Sequence, residues 1–290
     1  MDLKTIERNN KAATKKAARF RKKATLETRR LQNDEFHQYR NEYPYYGLVE
    51  VNLDGCKPFV MYSNNDDLVA QTYFWYGANS YERKSVAEWV ARAKQCDTIF
   101  DVGAFTGLFA MAAHFAHPGA QVHAFEATRK VYGRLIANLQ ANRIQHSVVA
   151  NNLAISNRED CVTFFQYRAE HVLGTGASFI DKGIEVFNQD ETVKTQALDV
   201  YAEEKSIRPG LLKIDVEGAE LLALEGMVGI LDQDQPQIVV EVSPKTIKPV
   251  IELLSRFDYK FYGIDEATME LHHTDGADVR SFCNILAEVN

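Results

Sequence analysis

From residue 98 onward, short apolar runs alternate with segments whose apolar positions recur at helical spacing. The runs predicted to be strands are Thr98–Val102, Gln121–Phe125, Ser147–Ile155, Val162–Tyr167, Val193–Leu198, Leu211–Val216, Gln237–Val242, Tyr259–Ile264 and Ser281–Glu288. The segments predicted to be helices between them are Leu108–Phe115, Thr128–Asn142, Glu220–Leu231 and Thr246–Phe257. Strands that alternate with helices of this length are typical of βαβ units. We therefore predict a mostly parallel sheet with helices on both faces, in which the last two strands pair as an antiparallel edge.

The first third of the chain, before this alternation, has a different pattern. Two strand-like runs, Leu48–Leu53 and Lys57–Tyr62, flank an Asp-Gly turn, which is a strong signal of a β-hairpin. Two further segments are predicted to be helical, Val69–Tyr76 and Glu82–Lys94. We therefore divide the chain into a helical or flexible arm at residues 1–35, a lead-in of hairpin and helices at 36–96, and the alternating domain at 97–290.

Charge is distributed unevenly along the chain. Residues 1–30 hold eleven Lys and Arg against three Asp and Glu, a net charge of +8, whereas the remaining residues carry −15. An acidic body is poorly suited to a long phosphate backbone, so nucleic-acid binding is not expected of the domain. The basic arm is interpreted either as a contact for nucleic acid or an anionic membrane, or as a solvated, partly helical extension.

The cysteines and the apolar runs indicate the compartment. Four cysteines stand far apart and form no Cys-x-x-Cys pair, namely Cys56, Cys96, Cys161 and Cys283. This spacing is typical neither of a zinc site nor of a secreted disulfide scaffold, which favours reduced thiols in a cytoplasmic protein. No run approaches the roughly 18 apolar residues that cross a bilayer, so neither a membrane span nor a signal peptide is expected.

The most informative segment is the first strand of the domain with the turn that follows it, Thr98–Gly107. The strand carries Asp101 near its end, and the turn contains Gly103 and Gly107. In open α/β sheets, ligands bind beyond the carboxyl ends of the strands, and glycines let the backbone approach them closely. The second strand is followed by Glu126, 25 residues after Asp101, which suits hydrogen bonds to both hydroxyls of a ribose. The alternatives are a turn made for packing and a carboxylate that stabilises the next helix N-terminus.

The chemistry of this turn distinguishes between two nucleoside cofactors. A dinucleotide site usually shows G-x-G-x-x-G, with a helix N-terminus open to the pyrophosphate. Here the turn reads Gly-Ala-Phe-Thr-Gly, and an acid stands just before it. A carboxylate disfavours pyrophosphate but suits S-adenosyl-L-methionine, which carries an ammonium and a sulfonium and no phosphate. The pattern therefore favours a methyl donor over a nicotinamide cofactor.

Three motifs together carry a resemblance to a known family. They are Asp101-Val102-Gly103-Ala104, Ala124-Phe125-Glu126 and Leu212-Lys213-Ile214-Asp215-Val216-Glu217-Gly218-Ala219-Glu220. In this order they resemble the FkbM-type S-adenosylmethionine-dependent methyltransferases, over roughly residues 48–264. The resemblance implies a Rossmann-like class I methyltransferase fold, with a seven-stranded, mostly parallel sheet, helices on both faces, an N-terminal helical arm and a hairpin. One position departs from the family, which usually has Asn after Gly-Ala where this chain has Phe105.

The resemblance also implies a set of donor-binding residues within the 97–290 domain. They are Asp101, Gly103, Ala104, Thr106, Gly107, Glu126, Ala127, Leu153, Ala154 and Asp215. The residues of the first turn are expected to hold the methionine part of the donor, and Glu126 the ribose. Leu153 and Ala154 are expected to approach the adenine, and Asp215 to face the sulfonium and the acceptor.

Candidate catalytic groups lie at the end of the predicted strand Leu211–Val216 and directly after it. Asp215 or Glu217 is expected to act as a base for an acceptor hydroxyl or to anchor the acceptor, with Glu241 as a further polar wall. The alternatives are a helix cap for Glu217 and a buried ion pair for Lys213. Carboxylates around one pocket can bind a divalent cation, but no spacing demands one, and no metal is expected. His171 precedes a Gly-rich segment predicted to be a loop, which is either a lid over the substrate or ordinary surface.

These expectations describe an S-adenosylmethionine-dependent O-methyltransferase that acts on a hydroxyl of a small molecule or glycan. The acceptor class comes from the resemblance alone. One alternative is a nucleic-acid methyltransferase that uses the basic arm, although the chain has no Asn/Asp-Pro-Pro-Tyr segment. The other is a non-catalytic, donor-binding scaffold protein.

Overall fold

The structure, a computed structural model, describes residues 2–23, 33–77, 80, 82–167, 173 and 187–289. Its helices are α1 (Leu3–Lys23), α2 (Asn33–Glu42), α3 (Leu68–Tyr76), α4 (Arg83–Ala93), α5 (Leu108–Ala116), α6 (Arg129–Ala141), α7 (Leu198–Lys205), α8 (Glu220–Glu225), α9 (Val228–Gln233) and α10 (Ile247–Leu254), followed by a 3-10 turn at Ser255–Phe257. Its strands are β1 (Tyr46–Val51), β2 (Phe59–Asn64), β3 (Thr98–Val102), β4 (Gln121–Phe125), β5 (Val148–Asn151), β6 (Ala154–Ile155), β7 (Asp160–Tyr167), β8 (Phe187–Gln196), β9 (Leu211–Ile214), β10 (Gln237–Val242), β11 (Lys260–Asp265), β12 (Glu270–His273) and β13 (Cys283–Glu288). Among these described helices, none has both the length and the apolar character that crossing a bilayer requires.

Eight strands form the central sheet, in the order β12-β11-β13-β10-β9-β3-β4-β5. The strands from β10 to β5 in this order run parallel, whereas β13 is antiparallel to both of its neighbours, β10 and β11. The parallel strands are apolar on both faces because helices cover both faces of such a sheet. The predicted seven-stranded, Rossmann-like α/β sheet is confirmed, with β12 as an additional edge strand. The predicted pairing of the last two strands is confirmed as well, but β13 lies inside the sheet rather than at its edge.

Consecutive side chains of β3 point to opposite faces of the sheet and enter two separate cores. Ile99 packs in one core with Trp89 of α4 and with residues of α5 and α6. Phe100 packs in the other core with residues of α7 and with Val250 of α10. The buried indole N–H of Trp89 donates to the Phe109 carbonyl oxygen at 2.9 Å. This hydrogen bond ties α4 to α5, the helix that begins at the predicted ligand turn.

Two predicted elements are interrupted where another segment of backbone approaches them. The strand predicted at Ser147–Ile155 divides into β5 in the central sheet and β6 in a three-stranded sheet of order β6-β8-β7. The helix predicted at Glu220–Leu231 divides into α8 and α9 around Gly226. A Cβ on Gly226 would lie only 2.0 Å from the Ser156 carbonyl oxygen. The chain that leaves β6 therefore passes directly against the break between the two helices.

Two further differences concern strands that the periodicity did not predict. β8 begins at Phe187, so the prediction of a loop over residues 174–189 is wrong at its last three residues. The rest of that predicted loop and His171 lie outside the described residues. β12 was not predicted because its short sequence is polar and mostly exposed, and only its antiparallel pairing with β11 makes it a strand.

The basic arm forms α1, which docks on the lead-in segment. Ala13 and Ala17 are completely buried and belong to the same core as the hairpin and α4. The Asn10 side chain donates to the Tyr46 carbonyl oxygen at 2.6 Å and accepts from the Tyr46 N–H at 2.9 Å, at the start of the hairpin. The inner face of the arm is therefore packed, and the interpretation as a solvated extension applies only to its outer face.

Candidate active site

A cleft opens at the carboxyl ends of β3, β4 and β9, where the sequence predicts the ligand site. Its lining consists of Val69, Val102, Gly103, Ala104, Phe105, Leu108, Phe109, Phe125, Glu126, Ala127, Thr128, Val131, Leu153, Ala154, Ile155, Lys213, Asp215, Val216, Glu217 and Glu241. The predicted site residues found in this lining are Gly103, Ala104, Glu126, Ala127, Leu153, Ala154, Asp215 and Glu217. The remaining three, Asp101, Thr106 and Gly107, are buried behind it.

The turn after β3 holds the ends of three strands together. Gly103 has a φ of 80°, and a Cβ there would lie 1.7 Å from the Asp215 carbonyl oxygen. The N–H groups of Gly103 and Ala104 donate to the Phe125 carbonyl oxygen at 3.0 and 2.8 Å. The Asp215 N–H donates to the Val102 carbonyl oxygen at 2.9 Å. Glycine is required at position 103 because this close approach leaves no space for a side chain.

Glu126 accepts hydrogen bonds from the turn after β3 and from the residue that precedes α6. Its Oε2 accepts from the Phe105 N–H at 3.1 Å, and its Oε1 accepts from the N–H and the hydroxyl of Thr128, both at 2.9 Å. The side chain is 8% exposed, and this burial raises the pKa of Glu126 to about 7, although the hydrogen bonds act in the opposite direction. Glu126 thus stabilises the start of α6, as the alternative interpretation proposed, and also lines the cleft.

Phe105 occupies the position at which the resembled family usually has Asn. Its φ of 48° is a left-handed conformation, which Asn adopts more readily than Phe. The polar contact from this position to Glu126 is made by the main-chain N–H. The change from Asn to Phe therefore leaves that contact in place.

Asp101 lies beneath the cleft rather than in its wall. Its side chain is 1% exposed, and neither carboxylate oxygen has a hydrogen-bond partner among the described residues. Burial raises the pKa of Asp101 to about 6, against the opposing effect of the Lys213 ammonium. Asp101 and Lys213 are direct neighbours in the register of β3 and β9.

Thr106 and Gly107 shape the start of α5. Thr106 is completely buried, and its carbonyl oxygen accepts from the Asn138 amide at 2.7 Å. Gly107 has a φ of 97°, and a Cβ there would lie 2.5 Å from Cδ1 of Leu135. Both residues face α6, so they position the turn from behind.

A buried ion pair stands at the end of β9. The Lys213 Nζ lies 2.6 Å from Oδ2 of Asp215 and 4.5 Å from the centre of the Phe109 ring. Lys213 is only 2% exposed; burial by itself lowers the pKa of its ammonium, but the carboxylates around it, Asp215 first, raise that pKa above its usual value. This is the ion pair that the alternative interpretation of Lys213 proposed, and it forms part of the cleft wall.

The structure adds one carboxylate to this end of the cleft that the sequence analysis missed. Oxygens of Glu82, Asp215 and Glu241 lie within 4.8 Å of one another. Glu82 comes from the lead-in segment, just before α4, where its φ is 45°. No spacing or periodicity could place it there, because its approach depends on how α4 packs on the sheet. Carboxylate oxygens at such distances are compatible with a cation, and the Lys213 ammonium already supplies a positive charge beside Asp215.

Two other acids near β9 have distinct surroundings. Burial, followed by the Asp215 carboxylate, raises the pKa of Glu241 well above its usual value. Glu217 is half-buried in the cleft lining, with a left-handed φ of 55°. The adjacent Gly218 N–H donates to Oε1 of Glu220 at 2.7 Å, and Ala219 is the N-cap residue of α8.

The strand order and the cleft at the ends of the central parallel strands define a Rossmann-like class I methyltransferase fold. The sequence model of the methyltransferase FkbM domain matches residues 101–261, more than half of the chain. The chain belongs to the FkbM methyltransferase family. The predicted family, fold class and methyl donor, S-adenosyl-L-methionine, are thereby confirmed.

The chain is also similar to individual proteins and solved structures. The chain is 33% identical, over 180 residues, to the 31-O-demethyl-FK506 methyltransferase FkbM of Streptomyces tacrolimicus. The aligned region covers 50% of this chain and 65% of that protein. The crystal structure of methyltransferase FkbM from Methylobacillus flagellatus KT aligns with 76% of this chain and 55% of its own, at 14% identity and a TM-score of 0.43. The crystal structure of the O-methyltransferase TomG from Streptomyces achromogenes aligns with 73% of this chain and 81% of its own, at 12% identity and a TM-score of 0.41. The chain thus spans just under two thirds of the length of its Streptomyces tacrolimicus relative.

Proposed function

We propose that this chain transfers a methyl group from S-adenosyl-L-methionine to a hydroxyl oxygen of a small molecule or glycan. The observation that carries the proposal is a cleft with two different ends. Because β3 lies between β4 and β9 in the sheet, Glu126 after β4 and Asp215 after β9 stand on opposite sides of the β3 turn. The name of the Streptomyces tacrolimicus relative, which denotes a 31-O-demethyl substrate, supports an oxygen as the acceptor atom.

We assign the donor to the half of the cleft between β3 and β4. A buried carboxylate beside an apolar wall is the combination that a nucleoside requires, and Glu126 stands beside Leu153 and Ala154 here. Glu126 would accept hydrogen bonds from the ribose hydroxyls, next to Ala127, and the apolar pair would contact the adenine. The turn at Gly103 and Ala104 would approach the methionine part.

The three predicted donor-binding residues behind the lining receive a supporting role in this proposal. Asp101, Thr106 and Gly107 would act on the donor only through the turn that they hold. The buried negative charge of Asp101 would still favour the cationic end of the donor across the turn, because electrostatic effects persist in a low-dielectric interior.

We assign the acceptor to the end of the cleft at β9. S-adenosylmethionine supplies a methyl group already activated by its sulfonium, so the chain has to align the acceptor, exclude water and take up the proton of the hydroxyl. Lys213 holds one oxygen of Asp215 at 2.6 Å and so orients that carboxylate. Asp215 would receive the proton, and Glu217 and Glu241 would contact the acceptor. The raised pKa of Glu241 keeps a proton on it near neutral pH, so that it can donate a hydrogen bond.

The charge of this end supports a neutral acceptor. Carboxylates of Glu82, Asp215 and Glu217 lie in or beside the cleft, and they would repel a phosphate backbone. This favours a small molecule or glycan over the alternative of a nucleic acid. We also place the protein in the cytoplasm, since Cys56, Cys96, Cys161 and Cys283 are all free thiols.

Isothermal titration with S-adenosylmethionine and with NAD tests the donor. We expect saturable binding of S-adenosylmethionine and none of NAD. Binding of NAD in preference to the methyl donor would overturn the proposal. Transfer of a labelled methyl group to a panel of hydroxylated small molecules and glycans then tests the activity, and complete lack of transfer with intact donor binding would favour the non-catalytic alternative.

The Asp215→Asn variant tests the acceptor end. The amide keeps the shape of the carboxylate but cannot take up a proton, so we expect turnover to fall by about 10²-fold or more, while donor affinity changes much less. Turnover of the labelled-methyl reaction and titration of the donor are measured on the same preparation. Full activity of Asp215→Asn would remove this residue from the reaction centre, and Glu217→Gln would then be the next variant to measure.

A further inference from the structure

The outer face of α1 carries a row of positive charges, which we name the cationic stripe. It consists of Lys4, Arg8, Lys11, Lys15, Arg19 and Lys22, all of them exposed. At about 100° per residue, these positions fall on one side of the helix, within a sector of about 80°. At about 1.5 Å per residue, the stripe is roughly 27 Å long. Along the described chain, none of the six has an ion pair with an acid.

The opposite face of α1 is anchored, so the cationic stripe has a fixed orientation. Ala13 and Ala17 are completely buried, and Asn10 is paired with the Tyr46 main chain. Near the end of the helix, the Arg21 guanidinium donates to the Phe74 carbonyl oxygen. The helix is therefore held as a ridge, with its packed face toward the lead-in segment and its charges toward solvent.

We propose that the cationic stripe is the docking surface for an anionic lipid bilayer. Clusters of four to eight Lys and Arg on one face of a helix attract the negatively charged lipids of the cytoplasmic leaflet. A straight ridge meets a flat surface along its whole length, so all six charges reach the headgroups at once. The apolar face of α1 is already buried in the protein, so the contact is electrostatic and peripheral and involves no insertion. This inference does not depend on the proposed methyl transfer.

The geometry disfavours the other polyanion that the charge alone would fit, a nucleic acid. An α-helix is about 10–12 Å across and the major groove about 8.5 Å deep. A helix that is docked along one face cannot enter that groove without bringing the acidic body against the phosphates. Single strands are bound by aromatic platforms as well as by charge. Within α1 the single aromatic residue, Phe20, is only partly exposed and packs edge-on against Tyr39 and Tyr76, so the stripe presents no row of exposed aromatic rings.

Co-sedimentation of the full chain with vesicles tests the proposal. Phosphatidylcholine vesicles with and without phosphatidylserine are compared at low and at raised ionic strength. The test variant is Lys11→Gln/Lys15→Gln/Arg19→Gln, which preserves helix propensity. The matched control is Lys245→Gln/Lys248→Gln/Arg256→Gln, which removes the same charge from exposed positions near α10.

We expect binding to the phosphatidylserine vesicles alone, and its loss at raised ionic strength. The stripe variant is expected to lower the partition coefficient by about 100-fold, whereas the control variant retains most of the binding. Circular dichroism and the thermal midpoint of each variant confirm that the fold is intact. Equal losses in both variants, or no binding of the wild-type chain to phosphatidylserine vesicles, would overturn the proposal. Tight binding of a labelled nucleic-acid duplex or single strand, measured by fluorescence anisotropy, with no binding to vesicles would also overturn the proposal.

Discussion

Two buried carboxyl groups close to the cleft give this protein titratable sites near neutral pH. Burial raises the pKa of Glu126 to about 7 and that of Asp101 to about 6. Glu126 is held by three hydrogen-bond donors, whereas Asp101 has none among the described residues and depends on the nearby Lys213 charge. The first group therefore bears on ligand binding and the second on folding stability.

Replacement of Glu126 by Gln tests its role at the donor ribose. The amide has one accepting oxygen instead of two and carries no charge, so it cannot place one acceptor on each ribose hydroxyl, and we expect donor binding to weaken by about 1.5–3 kcal/mol. In the wild type, the affinity should rise as the pH increases through about 7, because the carboxylate is the accepting form. In Glu126→Gln this pH dependence should be absent. Calorimetric titration over a pH series measures both effects, with the exposed Glu252→Gln as control; unaltered donor affinity would rule out the ribose contact.

Replacement of Asp101 by Asn tests the stability linkage. The pKa in the folded state, about 6, lies above the usual value of 3.8. The protonated form therefore favours folding, and this contribution is complete below pH about 4 and is lost as the pH rises through about 6. Asp101→Asn lacks that loss, so at pH about 8 it should be more stable than the wild type by up to about 3 kcal/mol. Urea unfolding over this pH range measures the difference, and identical pH slopes for the two proteins would contradict it.

At the scale of elements, the cleft depends on how closely the ends of β3 and β9 approach. The Asp215 carbonyl oxygen occupies the space that a side chain at Gly103 would need. The same turn directs the Phe105 N–H to Glu126. Any displacement of this turn is therefore transmitted to both ends of the cleft.

The pair of variants Gly103→Ala and Gly218→Ala separates this close approach from backbone strain alone. Both glycines have a left-handed φ, 80° and 102°, but a Cβ at Gly218 meets nothing within 4 Å. Each alanine costs about 1–2 kcal/mol for its conformation. We expect Gly103→Ala to lose more stability than Gly218→Ala, and to lose donor affinity as well. Thermal unfolding and donor titration of the two variants decide this, and equal losses in stability would show that the contact with Asp215 is not limiting.

Strands buried on both faces were the elements best predicted from the sequence. Thr98–Val102, Gln121–Phe125 and Gln237–Val242 have the predicted bounds, since short, mainly apolar runs are typical of parallel strands that are buried on both faces. Predictions failed where a distant segment intervenes. The helix around Gly226 is broken because the backbone at Ser156 passes against it. Local periodicity contains no information about such an approach.

At the scale of the whole molecule, the lead-in and the arm form part of the core that supports the cleft. Val69 of α3 lines the cleft directly. The α1 helix packs on this segment through Ala13 and Ala17. Asn10 satisfies both main-chain groups of Tyr46, where the hairpin begins.

The variant Asn10→Ala tests whether this docking contributes to stability. Loss of the side-chain amide leaves the N–H and the carbonyl of Tyr46 without their partner, so we expect a loss of about 1–3 kcal/mol in the free energy of unfolding. Lys11→Ala, one residue further along and exposed, should change it by less than about 0.5 kcal/mol. Urea unfolding of both variants measures the difference; if Asn10→Ala were as stable as Lys11→Ala, the arm would contribute nothing to the fold.

The sequence by itself determined the alternation of strands and helices, and with it the family and the edge of the sheet at which the site lies. Acids that follow successive parallel strands must meet at that edge, whatever the details of packing. Only the tertiary structure decided which of them face the cleft: Glu126 and Asp215 do, and Asp101 lies behind. It also brought Glu82 to Asp215 and Glu241. The physical reason is that the direction of a side chain depends on strand register and on long-range packing, which no local pattern of residues contains.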